Sequence, residues 1–339
     1  VEGIAEATAL IVKVFSGALS DRLGHRKPLA LVGYGLGALS KPLFALATSM
    51  PWVLTARFID RIGKGIRGAP RDALVADITP LEIRGAAYGL RQALDTVGAF
   101  AGPLAGIALM VVFAGDFRTV FWFAAIPAML CVALLAAGVQ EPERPAQAAA
   151  RPPLHWRALG GLHGAYWAVV AIGAVFTLAR FSEAFLVLRA RDAGLPDAWA
   201  PVVFIVMNAV YALAAYPAGR LADRMSHRAL LMAGIALLIA ADLALATGGG
   251  LALTAAGIVL WGLHLAFTQG LLSTMVAAAA PAELRGTAFG FFNLACGLAM
   301  LAASVLAGAL WDAFGAATTF YAGAAIAAAT FLLLSVRRG

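Results

Sequence analysis

Apolar stretches of about 20 residues, long enough to cross a hydrocarbon core as a helix, recur from one end of this chain to the other. A bilayer offers no water to backbone polar groups, so such a chain has to satisfy them internally, and repeated apolar runs of this length do so as a helical bundle. The runs and their breakers predict eleven spans, at about 2–20, 29–48, 52–79, 84–113, 118–139, 160–189, 197–218, 229–247, 251–279, 285–310 and 317–336. Only 13% of the residues are charged, against about 25% in soluble domains. Function therefore has to be sought inside the membrane.

The formal net charge is +7, but the basic residues gather in alternate short loops, around Arg22 to Lys27, at Arg84, from Arg144 to Arg157, at Arg220 to Arg228, at Arg285 and at Arg337 and Arg338. By the positive-inside rule these loops are cytoplasmic, which makes the basic excess a topology signal and not a nucleic-acid surface. A multi-pass protein of the inner (plasma) membrane is expected, with lipid and a small-molecule substrate as partners, acting as a monomer. Cys131 and Cys296 lie far apart in apolar runs and read as free thiols. No metal-ligand spacing, nucleotide loop or nucleophile–base constellation is found, so neither an enzyme nor an ATP-driven pump is expected, and the only cofactor would be a proton gradient.

Residues 140–158, rich in Pro, Ala and charge, read as a linker between an N-terminal bundle (1–139) and a C-terminal bundle (159–339). The halves repeat. GALSDRLGHRKPLALVG from Gly17 matches GRLADRMSHRALLMAG from Gly219, and PLEIRGAAYG from Pro80 matches PAELRGTAFG from Pro281, both at an offset of about 202. That offset sets Val1 opposite Val203 inside the second half's second span, so a further helix upstream is expected, giving six plus six.

A duplicated six-helix unit with a cytoplasmic linker resembles the major facilitator superfamily, and three motifs carry the likeness. Gly17, Asp21, Arg22, Gly24, Arg26 and Lys27 resemble the family's GxxxDRxGRR(K/R) loop signature, with His25 in place of the first arginine of the pair, and Gly219, Asp223 and Arg224 form a degenerate copy. The resemblance implies a cytoplasmic gate there. Arg61, Lys64, Gly65 and Arg67 resemble a second motif whose arginine is linked to proton coupling, although Lys64 replaces its usual glutamine. Gly89, Gly98, Gly102, Pro103 and Gly106 resemble the antiporter motif that accompanies export in the family. Its small residues are expected to let two helices approach closely.

Charge inside the membrane is the other functional signal. Arg57, Asp60, Arg61, Lys64, Arg67, Arg71 and Asp72 fall on one sector roughly 140° wide of the 52–79 helix. Each would cost about 2.5 to 3.5 kcal/mol at the bilayer centre, so the stripe should face water or buried partners. Glu2, Glu6 and Lys13 share one face of the first helix and could supply partners. Glu6, Asp60, Arg61 and Asp95 are the proton-coupling candidates. Glu2, Lys13, Arg57, Lys64, Arg67, Arg71, Gln92, Arg180, Glu183, Asn208, His264, Gln269 and Asn293 are the candidates for a substrate cavity, with Arg180 and Glu183 spaced to pair along a helix. The reading is a secondary transporter working by alternating access, a proton-coupled exporter of an anionic organic compound or metal chelate. An importer or uniporter, or a non-transporting membrane sensor on the same fold, stays open.

Overall fold

A computed structural model describes residues 2–141 and 160–336. Among these residues the chain is helical throughout, without strands: α1 Glu2–Leu23, α2 Lys27–Ala45, α3 Met50–Ile78, α4 Arg84–Val112, α5 Phe117–Gly138, α6 Gly164–Ala179, α7 Ala184–Asp192, α8 Ala200–Ala222, α9 His227–Ala246, α10 Gly250–Ala279, α11 Arg285–Phe314 and α12 Ala316–Val336. Among the described residues eight spans are long and apolar enough to cross a membrane, with α6 and α7 counted as one; α1, α2 and charge-rich α3 are not among them. The predicted linker, 140–158, lies outside the described residues apart from residues 140 and 141.

The predicted span at 160–189 is a correction. It is broken at Arg180–Glu183, and a new helix starts where the Ser182 hydroxyl accepts from Ala184 N at 3.3 Å. Apolar residues flank Arg180–Glu183 on both sides and no Gly or Pro marks the break, which is why the sequence reads as one helix. Other boundaries follow local chemistry. Gly24, at φ +72°, turns the chain from α1 into α2 with a backbone that a Cβ would strain. Asp116 caps α5, accepting from Arg118 N at 3.0 Å and from the Thr119 hydroxyl at 2.6 Å. The Thr119 hydroxyl, the main cause, holds the Asp116 carboxyl below the usual carboxylate range.

Contacts group the chain into two compact units. One comprises Val1–Thr79, Ala101–Trp167 and Val276–Leu294; the other comprises Pro80–Phe100, Ala168–Met275 and Ala295–Gly339. In the first, α3 packs on α1 and α2, and α2 packs on α5. Glycines permit the closest approach: a methyl group at Gly63 would lie 2.7 Å from Gly33 O. In the second, α9 packs on α12, and an aromatic core forms around Trp261, Phe181 and Phe320.

Candidate functional site

The two repeated motifs do not act separately; each loop signature meets the helix start of the opposite half of the sequence. Asp21, at the end of α1, accepts from the first backbone amides of α11, Gly286 N at 3.0 Å and Thr287 N at 2.6 Å, and from the Thr287 hydroxyl at 2.7 Å. Asp223, at the end of α8, accepts from the first amides of α4, Gly85 N at 2.6 Å and Ala86 N at 2.8 Å. A helix start presents unsatisfied N–H groups and the positive end of a dipole, so a carboxylate fits there on both counts. The glycines make room. A methyl at Gly85 would stand 2.5 Å from Gly219 O, and one at Gly286 would stand 2.5 Å from Gly17 O.

Around Asp21 lies a buried ionic network. Arg26 bonds Asp21, donates from Nε to Asp77 Oδ2 at 2.9 Å, and donates from Nη2 to Ala282 O at 3.1 Å. Arg285 bonds the other Asp77 oxygen at 2.7 Å. The Asp21 and Arg26 side chains are fully buried, where only a paired and hydrogen-bonded charge is tolerable. Glu141 accepts from the Arg26 and Lys27 backbone amides and so caps α2. Arg22 and Arg224, also predicted gate residues, are exposed.

The stripe on α3 faces α1 and α2. Asp60 accepts from Lys41 Nζ at 2.9 Å and from the Ser40 hydroxyl at 3.3 Å, with Arg61 at 3.8 Å. Asp60 lies ten residues into α3, about 15 Å from its start and so about a third of the way along it. Arg67 stacks 4.6 Å over the Tyr34 ring, and Arg71 pairs with Asp72 at 3.2 Å. Lys13 donates to Asn293 Oδ1 at 3.3 Å while its stem crosses Gly68, where a methyl would lie 2.6 Å from Lys13 Cε. Arg57 and Lys64 stand on the same stripe, with Lys64 exposed. Glu2 and Glu6 belong to α1, but their side chains lie outside the described residues. The partner of Asp60 thus comes from α2, through a lysine that the wheel of α1 could not reveal.

The remaining candidates scatter. On α4, Arg91 donates to Gln92 at 2.8 Å and pairs with Asp95 at 2.9 Å. Arg180 does not pair along a helix with Glu183, because the helix breaks between them; it donates to the side-chain oxygen of Gln269, at 3.0 Å from Nη2. Asn208 and Asn293 donate back to the carbonyls of Phe204 and Phe289, four residues earlier. His264 corrects the expectation of a cavity residue: it is fully buried between the Phe176 and Trp261 rings. The Gly–Pro motif is also corrected. Gly89 is packed against Ala215 and Gly219, whereas Gly98, Gly102 and Gly106 have no neighbouring atom where a Cβ would stand. Pro103 and Gly106 instead line an open apolar groove of about 510 Å³ with Ile107, Met110 and Phe121.

Comparison with known proteins agrees with this architecture. The family model for the Major Facilitator Superfamily matches residues 3–302 and 190–338, and the chain belongs to that family. It is 28% identical over 98% of its length to an uncharacterized MFS-type transporter of Methanocaldococcus jannaschii, covering 84% of that protein. A stretch amounting to 33% of the chain is 37% identical to multidrug resistance protein MdtH of Proteus mirabilis, covering 27% of it. The crystal structure of the human organic anion transporter MFSD10 (TETRAN) superposes with a TM-score of 0.79 at 20% identity, over 98% of this chain and 82% of that one. The protein is a multi-pass membrane transporter of this fold.

Proposed function

We propose that the protein is a proton-coupled exporter of the inner membrane, working by alternating access on a small anionic organic compound that also carries a hydrogen-bond donor, such as a hydroxy acid or an acidic metal chelate. The observation that carries this reading is the partly exposed Asp60–Lys41–Arg61 cluster between α2 and α3. A donor on the substrate bonds the Asp60 oxygens more strongly when the carboxylate has lost its proton, while the substrate's anionic group takes Lys41 and Arg61. Substrate and proton then compete for Asp60, which is the requirement for exchange in opposite directions. Likeness to a multidrug resistance protein over part of the chain supports export, and the fold shared with an organic anion transporter supports an anion.

The test is internal pH in proteoliposomes under a substrate gradient. Antiport moves protons against the substrate, and Asp60→Asn should abolish that movement while substrate exchange persists. Protons moving with the substrate would instead make the protein a symporter; that is the outcome expected for an anion without a donor, which would leave Asp60 to take a proton as Lys41 turns away.

A further inference from the structure

One acidic residue stands apart from every ion pair described so far. Asp242 lies in α9, within an otherwise apolar span, and is fully buried with neither carboxylate oxygen hydrogen-bonded. Buried polar groups are nearly always bonded, and each exception asks for an explanation. An ionised carboxylate in such a place would forfeit its hydration with nothing in return, whereas the neutral acid is far cheaper to bury.

Its surroundings are those of an ion site and not of a random fault. A methyl group at Gly323 of α12 would lie 2.8 Å from Asp242 Oδ2, 3.1 Å from Phe181 Cε1 and 3.2 Å from Ala179 O. The acid therefore sits beside the break between α6 and α7, near the carbonyl that ends α6. Helix C-termini carry the negative end of the dipole, and unwound helix ends within a membrane are places where transporters hold cations or protons. The nearby Ala179 carbonyl is an acceptor and not a counter-charge, which suits an O–H on the acid better than a carboxylate. By the loop charges, the Asp242 end of α9 faces the outer side.

The ionisable groups on the surrounding elements are Tyr166 on α6, Arg180 and Glu183 in the break, Arg189, Arg191 and Asp192 on α7, Tyr211, Tyr216 and Arg220 on α8, His227 and Arg228 at the far end of α9 itself, His264 on α10 and Tyr321 on α12. Arg189 donates to Leu245 O, and Arg180 to Gln269. His264 is itself unbonded at both ring nitrogens and is linked to the Asp242 pocket through the Trp261 and Phe181 rings.

We infer that Asp242 is a second proton-binding site of the transporter, in the outer half of the C-terminal bundle, loaded and emptied through movement of the helix break beside it. The inference rests on the proton-coupled reading above, and its first test needs neither a substrate nor transport. Infrared difference spectra of the purified protein should show the carbonyl stretch of a protonated carboxylic acid that is missing in Asp242→Asn, with an amplitude that falls as pH is raised from about 5 to about 10. Asparagine copies the neutral acid in size and charge, so the variant should fold; Gly323→Ala, which presses on Oδ2, should shift the same band and assigns it independently. No difference band, or a band that does not change over the whole pH range, overturns the inference by making Asp242 a permanently neutral structural acid. In proteoliposomes Asp242→Asn should lose gradient-driven transport yet keep substrate exchange, and unimpaired coupling would also overturn it. If the wild-type protein moves no protons with any substrate while the titrating band is present, the proposed function fails and the site stands.

Discussion

The two copies of the loop-to-helix contact share a backbone and differ in charge. In both, an aspartate at a helix end accepts from two amides at the start of a helix in the opposite half, across a pair of glycines that allow the approach. The Asp21 copy adds a buried network of Arg26, Asp77 and Arg285. Asp77 stands three residues before Pro80, and the residue three before Pro281 is Ala278. In the second copy, Arg228 turns instead to Ser335 O at 2.8 Å. The turns differ too: Gly24 uses a positive φ and borrows Glu141 to cap α2, whereas Ser226 caps α9 itself, accepting from Ala229 N at 3.2 Å. Both copies thus share the hydrogen-bonded latch, and the Asp21 copy carries the Arg26–Asp77–Arg285 ion pairs beside it.

Thermal unfolding in detergent measures that asymmetry. Asp21→Ala leaves Arg26 buried with one counter-charge fewer and should cost about 3 to 5 kcal/mol. Asp77→Ala should cost somewhat less and bring the first copy toward the second; an effect no larger than that of Asp223→Ala would break the comparison. Gly17→Ala and Gly219→Ala each drive a methyl into the facing glycine carbonyl, and should cost about 1 to 3 kcal/mol apiece, equally in both copies. Unequal losses would mean that the shared backbone contact is not equivalent. Asp223→Ala removes a helix-start acceptor alone, for about 1 to 2 kcal/mol.

The smallest effect belongs to Asp116, an exposed cap with no network at all. Its carboxyl is lowered in the folded protein, so its contribution is complete above the ordinary carboxylate range and is lost as pH falls through the lowered value. Asp116→Ala should therefore unfold slightly earlier than wild type at neutral pH, with the gap closing in strong acid. A gap that widened in acid would reverse that assignment.

Helix positions were legible because apolar length and breakers report directly on bilayer crossing. The repeat was legible as well, but it aligned each motif with its own copy, whereas the contacts run from one motif to the other. Asp77 and Glu141 were invisible for the same reason: nothing local marks a residue whose partners stand 51 to 208, or 114 and 115, positions away. The stripe on α3 was readable from its spacing, but Lys41, a lone charge near the end of α2, was not. Asp242 did leave a signal, one acid in an apolar span, but it had no neighbour in sequence to suggest a role.

The concentration of charge on α3 also bears on how the protein is made. Eight charged side chains on one helix make it a poor candidate to leave the translocation machinery for lipid by itself, since each would carry its own partition penalty. Lys41 of α2 and the glycine crossings on α1 and α2 supply the polar partner and the close fit that α3 lacks. On partition grounds α3 is expected to leave the protein-conducting channel against α1 and α2, which are synthesised before it and are at hand to sheathe it.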